Sequence, residues 1–253
     1  MKRVLITAGA SGVGYAMAEV FDREGWQVWI ADLDGEAVAA APAHWQRSTV
    51  NVADEAAVAG LFAEIDTAWG GLDALCANAG VAGPTAAIED VSLQDWQSCV
   101  AVNLEGAFLA AKYAAPMMKA ATQGAIVVTS STAGQYGYPY RAPYSAAKWA
   151  VIGLTKTLAM ELGPHGVRAN VICPGAVEGP RMEGVLAREA AAKGMSRDAV
   201  YDGYASGTAM GSFIEGRDVA EMAAFLASDA ARLVSGQVIA VDGFTVNPDP
   251  KVG

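Results

Sequence analysis

The sequence predicts an α/β fold: one doubly wound parallel sheet of about seven strands with helices on both faces. Two observations carry this. Short apolar runs alternate along the chain with stretches of helical periodicity. The runs Ala125-Ile126-Val127-Val128 and Asn170-Val171-Ile172-Cys173 also lack a period of two, as strands covered on both faces do. No linker, internal repeat or low-complexity tract divides the 253 residues, so residues 1–253 read as a single domain.

Residues 3–7, Arg-Val-Leu-Ile-Thr, form the first strand and run into a glycine-rich turn. A helix over 12–24 follows, periodic through Val13, Ala16, Met17, Val20 and Phe21. Next come strands near 27–31 and 47–50, a helix over 54–68, a strand over 73–77 and a long helix over about 92–119. A strand over 124–130, a helix over 143–162 and a strand over 167–172 continue the rhythm. Residues 175–216 break it, mixing Gly, Pro, Met and Arg around a helical stretch from Val185 to Lys193. An excursion of that length reads as a lid, about 178–215, over one edge of the sheet. A helix at about 217–228 and a strand Val238 to Val241 complete the pattern, and Asn247-Pro248-Asp249-Pro250 reads as an extended tail.

Composition excludes several functions. Hydrophobic residues make up 53% and charged ones 17%, against roughly 25% charged in an average soluble protein, which points to surface covered by partner subunits. No apolar run approaches the roughly 18 residues of a membrane span, and the first residues enter a strand instead of a signal peptide. A cytoplasmic protein with no membrane partner is expected. The net charge of −10 argues against nucleic-acid binding. Three dispersed cysteines and two histidines suit neither a disulfide framework nor a metal site, so no metal is expected.

The first turn, Thr7-Ala8-Gly9-Ala10-Ser11-Gly12-Val13-Gly14, sits between a strand and a helix. There, glycines let the backbone approach a pyrophosphate and the helix N-terminus favours its charge. Asp32 ends the second strand, eighteen residues past Gly14, where an acid accepts from an adenosine ribose 2′-hydroxyl. No Lys or Arg lies within 8–22 or 31–35 to offset a 2′-phosphate, so NAD is favoured over NADP. Tyr144 and Lys148 lie four residues apart at the start of a helix and share one face. A neighbouring ammonium favours the phenolate, which makes Tyr144 a candidate general base. The strand upstream ends in Thr129-Ser130-Ser131, thirteen residues before it.

With these residues the chain resembles the short-chain dehydrogenase/reductase family, over about residues 3–243. The glycine turn is similar to that family's cofactor motif, and Asn78-Ala79-Gly80 to its sheet-stabilising Asn-Ala-Gly. Asn103, Ser131, Tyr144 and Lys148 fall where its catalytic tetrad falls. Pro174-Gly175, and Ser235-Gly236-Gln237 leading to Val241-Asp242-Gly243, match its later signatures. The resemblance implies a Rossmann fold, a homotetramer and NAD-linked interconversion of a secondary alcohol and a ketone. Tyr144 would move the proton, Ser131 would hydrogen-bond the substrate oxygen, Lys148 would hold the nicotinamide ribose, and Asn103 would hold a relay water. The cofactor would lie along Gly9, Ser11, Gly12, Val13 and Gly14, then Asp32, Leu33, Asn51 and Val52. It would continue past Asn78, Ala79 and Gly80 to Tyr144, Lys148, Pro174, Gly175 and Val177.

Three departures stand out. Ala8 replaces the family's first glycine, implying a locally shifted turn. Asn51 replaces an aspartate near the adenine, whose amino group its amide oxygen could still accept from. Gly179 stands where many members have a threonine that contacts the nicotinamide carboxamide, leaving backbone amides around Val177 to hold it. For the substrate, Gln135, Tyr138, Arg141 and Arg181 are the candidate contacts, with Met182, Met195, Tyr201 and Tyr204 nearby in the excursion. They suit a small polar alcohol, polyol, sugar derivative or hydroxy acid. The alternatives are an NADPH-dependent 3-oxoacyl carrier-protein reductase, which Asp32 opposes, and a non-catalytic NAD-sensing scaffold, which the intact tetrad opposes.

Overall fold

The structure, a computed structural model, describes residues 1–247. Seven parallel strands make one sheet in the order β3-β2-β1-β4-β5-β6-β7. They are β1 (Arg3–Thr7), β2 (Gln27–Asp32), β3 (Gln46–Thr49), β4 (Ala74–Ala77), β5 (Gly124–Thr129), β6 (Val167–Pro174) and β7 (Val238–Val241). The helices are α1 (Gly12–Arg23), α2 (Gly35–Ala40), α3 (Glu55–Trp69), α4 (Leu93–Val100), α5 (Gly106–Ala121), α6 (Ala142–Leu162), α7 (Pro180–Lys193), α8 (Arg197–Ser206) and α9 (Gly216–Ala227). This is a Rossmann-like fold. None of the described helices is long and apolar enough to cross a membrane.

Successive residues of the central strands serve opposite cores, which is why those strands show no polar alternation. Leu5, Trp29, Leu75, Ile126 and Val171 pack with α3, α5 and α6 on one face. Val4, Ile6, Ile30, Val127 and Ile172 pack with α1 and α9 on the other.

The structure departs from the sequence pattern in four places. The expected helix over 92–119 is α4 and α5 joined by a π-helical turn, Ala101–Glu105, that carries Asn103. That turn spans only five residues inside a continuous helical stretch, too few to stand out in the sequence pattern. The six residues of α2, capped by the Asp34 side chain on the Glu36 and Ala37 N–H groups, are too few to show a period. Helix α8, capped by Ser196, buries only Val200 among its ten residues and so carries almost no apolar stripe. Helix α7 begins at Pro180 instead of Val185, with proline at its first position. The expected tail falls in part on residues 248–250, outside the described residues.

Chain order reverses between β1 and β4, so the loops at their C-terminal ends part and leave a crevice, the place where open α/β sheets bind ligands. Asn78 ties that edge together. The N–H groups of Asn78 and Ala79 both donate to Thr7 Oγ1 at 3.0 Å. Asn78 Nδ2 donates to the carbonyls of Thr7 (3.3 Å) and Ala8 (3.5 Å), and its Oδ1 accepts from Thr129 Oγ1 at 3.1 Å. One side chain thus links β1, β4 and β5. Asn78→Ala leaves those partners unpaired and is expected to destabilise the protein by roughly 2 kcal/mol. A shift of the urea midpoint to lower concentration would show this, and an unmoved midpoint would contradict it.

Candidate active site

The turn after β1 closes directly onto backbone. A Cβ at Gly14 would collide with the Ala8 carbonyl oxygen, and one at Gly9 would come within 2.7 Å of Ile30 Cγ2. Gly12 takes a left-handed φ of +52° with open space beside it. Ala8 takes φ +51°, the left-handed conformation that glycine ordinarily supplies at such a position. Ser11 caps α1 without a side-chain hydrogen bond, which leaves the helix N-terminus facing the crevice.

At the end of β2 the Asp32 carboxylate accepts from the Ala10 N–H (3.0 Å) and the Asp34 N–H (3.2 Å), fixing it beside the turn. Leu33 beyond it is 69% exposed. Asn51 Oδ1 accepts from the Ala53 N–H at 3.0 Å, so one acceptor position is already used. Val52 is buried, and Gly106 lies so close that a Cβ there would sit 2.9 Å from Val52 Cγ2.

A cavity of about 310 Å³ continues from the turn across the C-terminal ends of the strands. It gathers Ser11, Gly12, Val13, Asn78 and Gly80 from the first half of the sheet with Ser131, Tyr144 and Lys148 from the second. Pro174, Gly175 and Val177 follow from the end of β6, and Tyr138, Arg141 and Arg181 stand around the rim. Asp32, Leu33, Asn51 and Val52 lie outside this cavity, as do Gly9, Gly14 and Ala79, which shape the turn and the strand edge. Gln135 also lies outside this cavity: it follows the short 3₁₀ turn Thr132–Gly134, and its N–H donates back to the Thr132 carbonyl. Tyr204, Glu178 and Val185 do line it. Glu178 and Val185 escape the sequence reading, and a helix start recognised at Pro180 would have placed both.

Tyr144 and Lys148 project from the first turns of α6. The Lys148 ammonium is 2% exposed, donates to the Thr129 carbonyl at 2.8 Å and lies 5.8 Å from the Tyr144 ring centre. The Arg141 guanidinium stands 4.8 Å from the same ring. Burial pushes the Tyr144 phenol up, but the charges of Lys148, Arg181 and Arg141, with the Ser131 hydroxyl as hydrogen-bond partner, outweigh it. The phenol sits below its ordinary value. Burial also pulls the Lys148 ammonium below its ordinary value, against the favourable pull of Tyr144.

Behind this pair lies Asn103 on the π-turn, 1% exposed. Its Nδ2 donates to the carbonyls of Val81 (3.0 Å) and Cys99 (2.9 Å), while its Oδ1 is buried without a partner among the described residues. A Cβ at Gly80 would be 2.7 Å from that oxygen and 3.3 Å from Lys148 Nζ, so both atoms face the space that the missing side chain leaves. Gly134 is similarly constrained, since a Cβ there would strike Ser130 Oγ and the Lys148 carbonyl.

Past β6, the Glu178 N–H donates to the Ile214 carbonyl (2.9 Å) and the Ile214 N–H to the Ala176 carbonyl (3.0 Å). Val177, bridged to Ile214 between them, keeps its own N–H without a partner among the described residues and lines the cavity. Gly179 has φ +134° and ψ 175°, a conformation open essentially to glycine alone, so a threonine could not hold this backbone.

A tuned phenol, a buried ammonium and a glycine-turn helix N-terminus meet around one crevice, and comparison with known proteins gives the family. A family model described as Enoyl-(Acyl carrier protein) reductase matches residues 7–244. The 2,5-dichloro-2,5-cyclohexadiene-1,4-diol dehydrogenase of Sphingobium indicum is 35% identical over 248 residues, covering 96% of each chain. The cis-4-hydroxycyclohexanecarboxylate dehydrogenase of Sinomonas cyclohexanicum is 36% identical over 247 residues, covering 94% of each. The crystal structure of an NAD⁺-bound xylitol dehydrogenase superposes with a TM-score of 0.93 at 27% identity, covering 96% of this chain and 98% of the other. The chain belongs to the short-chain dehydrogenase/reductase family and is an oxidoreductase of that family.

Proposed function

We propose that the protein is a cytoplasmic NAD-dependent dehydrogenase that interconverts a small cyclic secondary alcohol and its ketone, with Tyr144 as general base. The carrying observation is the convergence of Ser131, Tyr144 and Lys148 with the turn Ser11-Gly12-Val13 on one cavity.

The residues fit a dinucleotide. Gly12 and Val13 at the open end of α1 would hold the pyrophosphate, and Asp32 the adenosine ribose. The free Val177 N–H would take the carboxamide in place of the threonine that Gly179 replaces. Lys148 would hold the nicotinamide ribose. When bound, the nicotinamide supplies the hydride acceptor. Tyr144, ionised below its ordinary range, takes the proton of the substrate hydroxyl. Ser131 Oγ, which also accepts from the Ala133 N–H at 3.1 Å, donates to the same oxygen and stabilises the charge that develops on it. Asn103 Oδ1 and Lys148 Nζ, both facing the gap at Gly80, suit a bridging water that carries the proton away.

NAD is favoured because Asp32 already receives two backbone N–H groups as a carboxylate and no Lys or Arg within 8–22 or 31–35 would neutralise a 2′-phosphate. A ring substrate suits walls formed by Tyr138, Met182, Val185 and Tyr204, and two relatives are named for alcohols on six-membered rings.

Steady-state assays with NAD and NADP across cyclohexanols, cyclohexanediols, polyols and hydroxy acids are expected to show turnover with NAD. Tyr144→Phe should lower kcat by on the order of 10² to 10⁴. A preference for NADP would contradict the role of Asp32, and full activity in Tyr144→Phe would contradict that of Tyr144.

A homotetramer is part of the same proposal. Phe108 on α5 and Trp149 on α6 are 47% and 52% exposed, on the helices expected to pair between subunits. Light scattering should give four times the 26.0 kDa chain mass, and Trp149→Glu should lower it. A monomer at all concentrations would overturn the assignment.

A further inference from the structure

The cavity is lined by three cationic side chains against one carboxylate, Glu178, so positive charge is in excess there. Lys148, Arg141 and Arg181 all line it, in a chain whose net charge is −10. Lys148 is engaged with the Thr129 carbonyl. Arg141 is only 7% exposed. Its Nη2 donates to the Ala82 carbonyl at 3.1 Å, but its Nε is buried without a partner among the described residues. Arg181 is exposed at the mouth and, among the described residues, makes neither a hydrogen bond nor an ion pair.

Of the nearby acids, two are paired with other cations and one, Glu178, keeps its charge on the wall. Glu178, on the cavity wall, accepts from the Tyr201 hydroxyl at 3.0 Å. Glu183 pairs with Arg197. Glu189, 3% exposed, accepts from the Tyr204 hydroxyl at 2.7 Å and pairs with Lys193 at 2.8 Å. Helix α7 adds to the imbalance, since its N-terminus at Gly179 has no side-chain cap and its positive end lies beside Arg181.

An unpaired guanidinium at the mouth, with a second whose Nε has no partner among the described residues, favours an anionic ligand, and a guanidinium matches a carboxylate in shape. The cofactor's phosphates have their own place at the N-terminus of α1, on the other side of the crevice. We infer that the substrate carries a carboxylate, bound at the cavity mouth by Arg181 with the buried Arg141 reinforcing the attraction. This rests on the reading of the cavity as an alcohol-oxidising site. The six-membered ring and its carboxylate then lie between Tyr144 and α7, within walls set by Tyr138 and Tyr204, whose rings stack 6.5 Å apart.

The test compares a cyclohexanol bearing a ring carboxylate with its isosteric carboxamide, for wild type, Arg181→Met and Arg181→Lys, with NAD as acceptor. Wild type is expected to favour the carboxylate about 10-fold or more in kcat/KM, the size of one charge-assisted contact. Arg181→Met should bring the ratio near one through a raised KM for the carboxylate, with Arg181→Lys in between. Equal kcat/KM for the two alcohols in wild type overturns the inference while leaving the alcohol-oxidising reading intact. An unchanged ratio in Arg181→Met with weakened NAD binding in a direct titration also overturns it, assigning Arg181 to a cofactor phosphate. Oxidation of neither compound, nor of any neutral secondary alcohol, overturns both readings together.

Discussion

The site depends on one constraint: an ammonium kept charged inside the protein next to a phenol. Removing Lys148 from water costs several kcal/mol unless fixed dipoles and a polarisable neighbour replace its hydration. The Thr129 carbonyl at 2.8 Å and the adjacent Tyr144 ring do this, and the price is a rigid neighbourhood. Ser130 donates to the Lys148 carbonyl at 2.7 Å, Gly134 lets that carbonyl approach, and Gly80 leaves no side chain that could push the ammonium aside. The cation then acts on the phenol, and Arg141 and Arg181 act with it.

That pairing explains features lying some residues away. The π-turn at Ala101–Glu105 turns Asn103 inward, tethers its amide nitrogen to Val81 and Cys99, and leaves its oxygen facing Gly80. Asn78 holds the ends of β1, β4 and β5 in register, so that the glycine turn and the Thr129 carbonyl keep their spacing. Ala8 bears part of the cost, since a left-handed backbone at a residue with a Cβ costs about 1 kcal/mol. The Asn78 amide reaching the Ala8 carbonyl secures that conformation.

Much of this is legible in the residues alone. Alternating apolar runs and helical stretches give the strand positions to within a residue or two, because central strands such as β1, β4 and β5 are covered on both faces and stay almost wholly apolar. The four-residue spacing of Tyr144 and Lys148 and the acid ending β2 are local patterns, visible without a fold. What stays hidden depends on tertiary packing. Arg141 reads from its tyrosine-rich loop as a substrate contact, and only the fold shows its guanidinium buried over Tyr144. The Tyr204–Glu189–Lys193 network forms because α7 and α8 pack together, and α8 leaves almost no periodic trace. The π-turn is silent because it spans only five residues within one continuous helical stretch. Gly179 reads as a loss of a threonine, whereas its backbone is one that no threonine could adopt.

The central claim is that buried cations lower the Tyr144 phenol to serve as base. The direct measurement is the pH dependence of kcat/KM for alcohol oxidation in wild type and Lys148→Met. Oxidation requires the phenolate, so activity rises as pH rises through the Tyr144 pKa, and the lowered value puts that limb below the ordinary tyrosine midpoint near 10. Removing the ammonium should move the limb to higher pH as well as lower the plateau. Coincident limbs in the two proteins, or a wild-type limb at or above 10, would contradict the account.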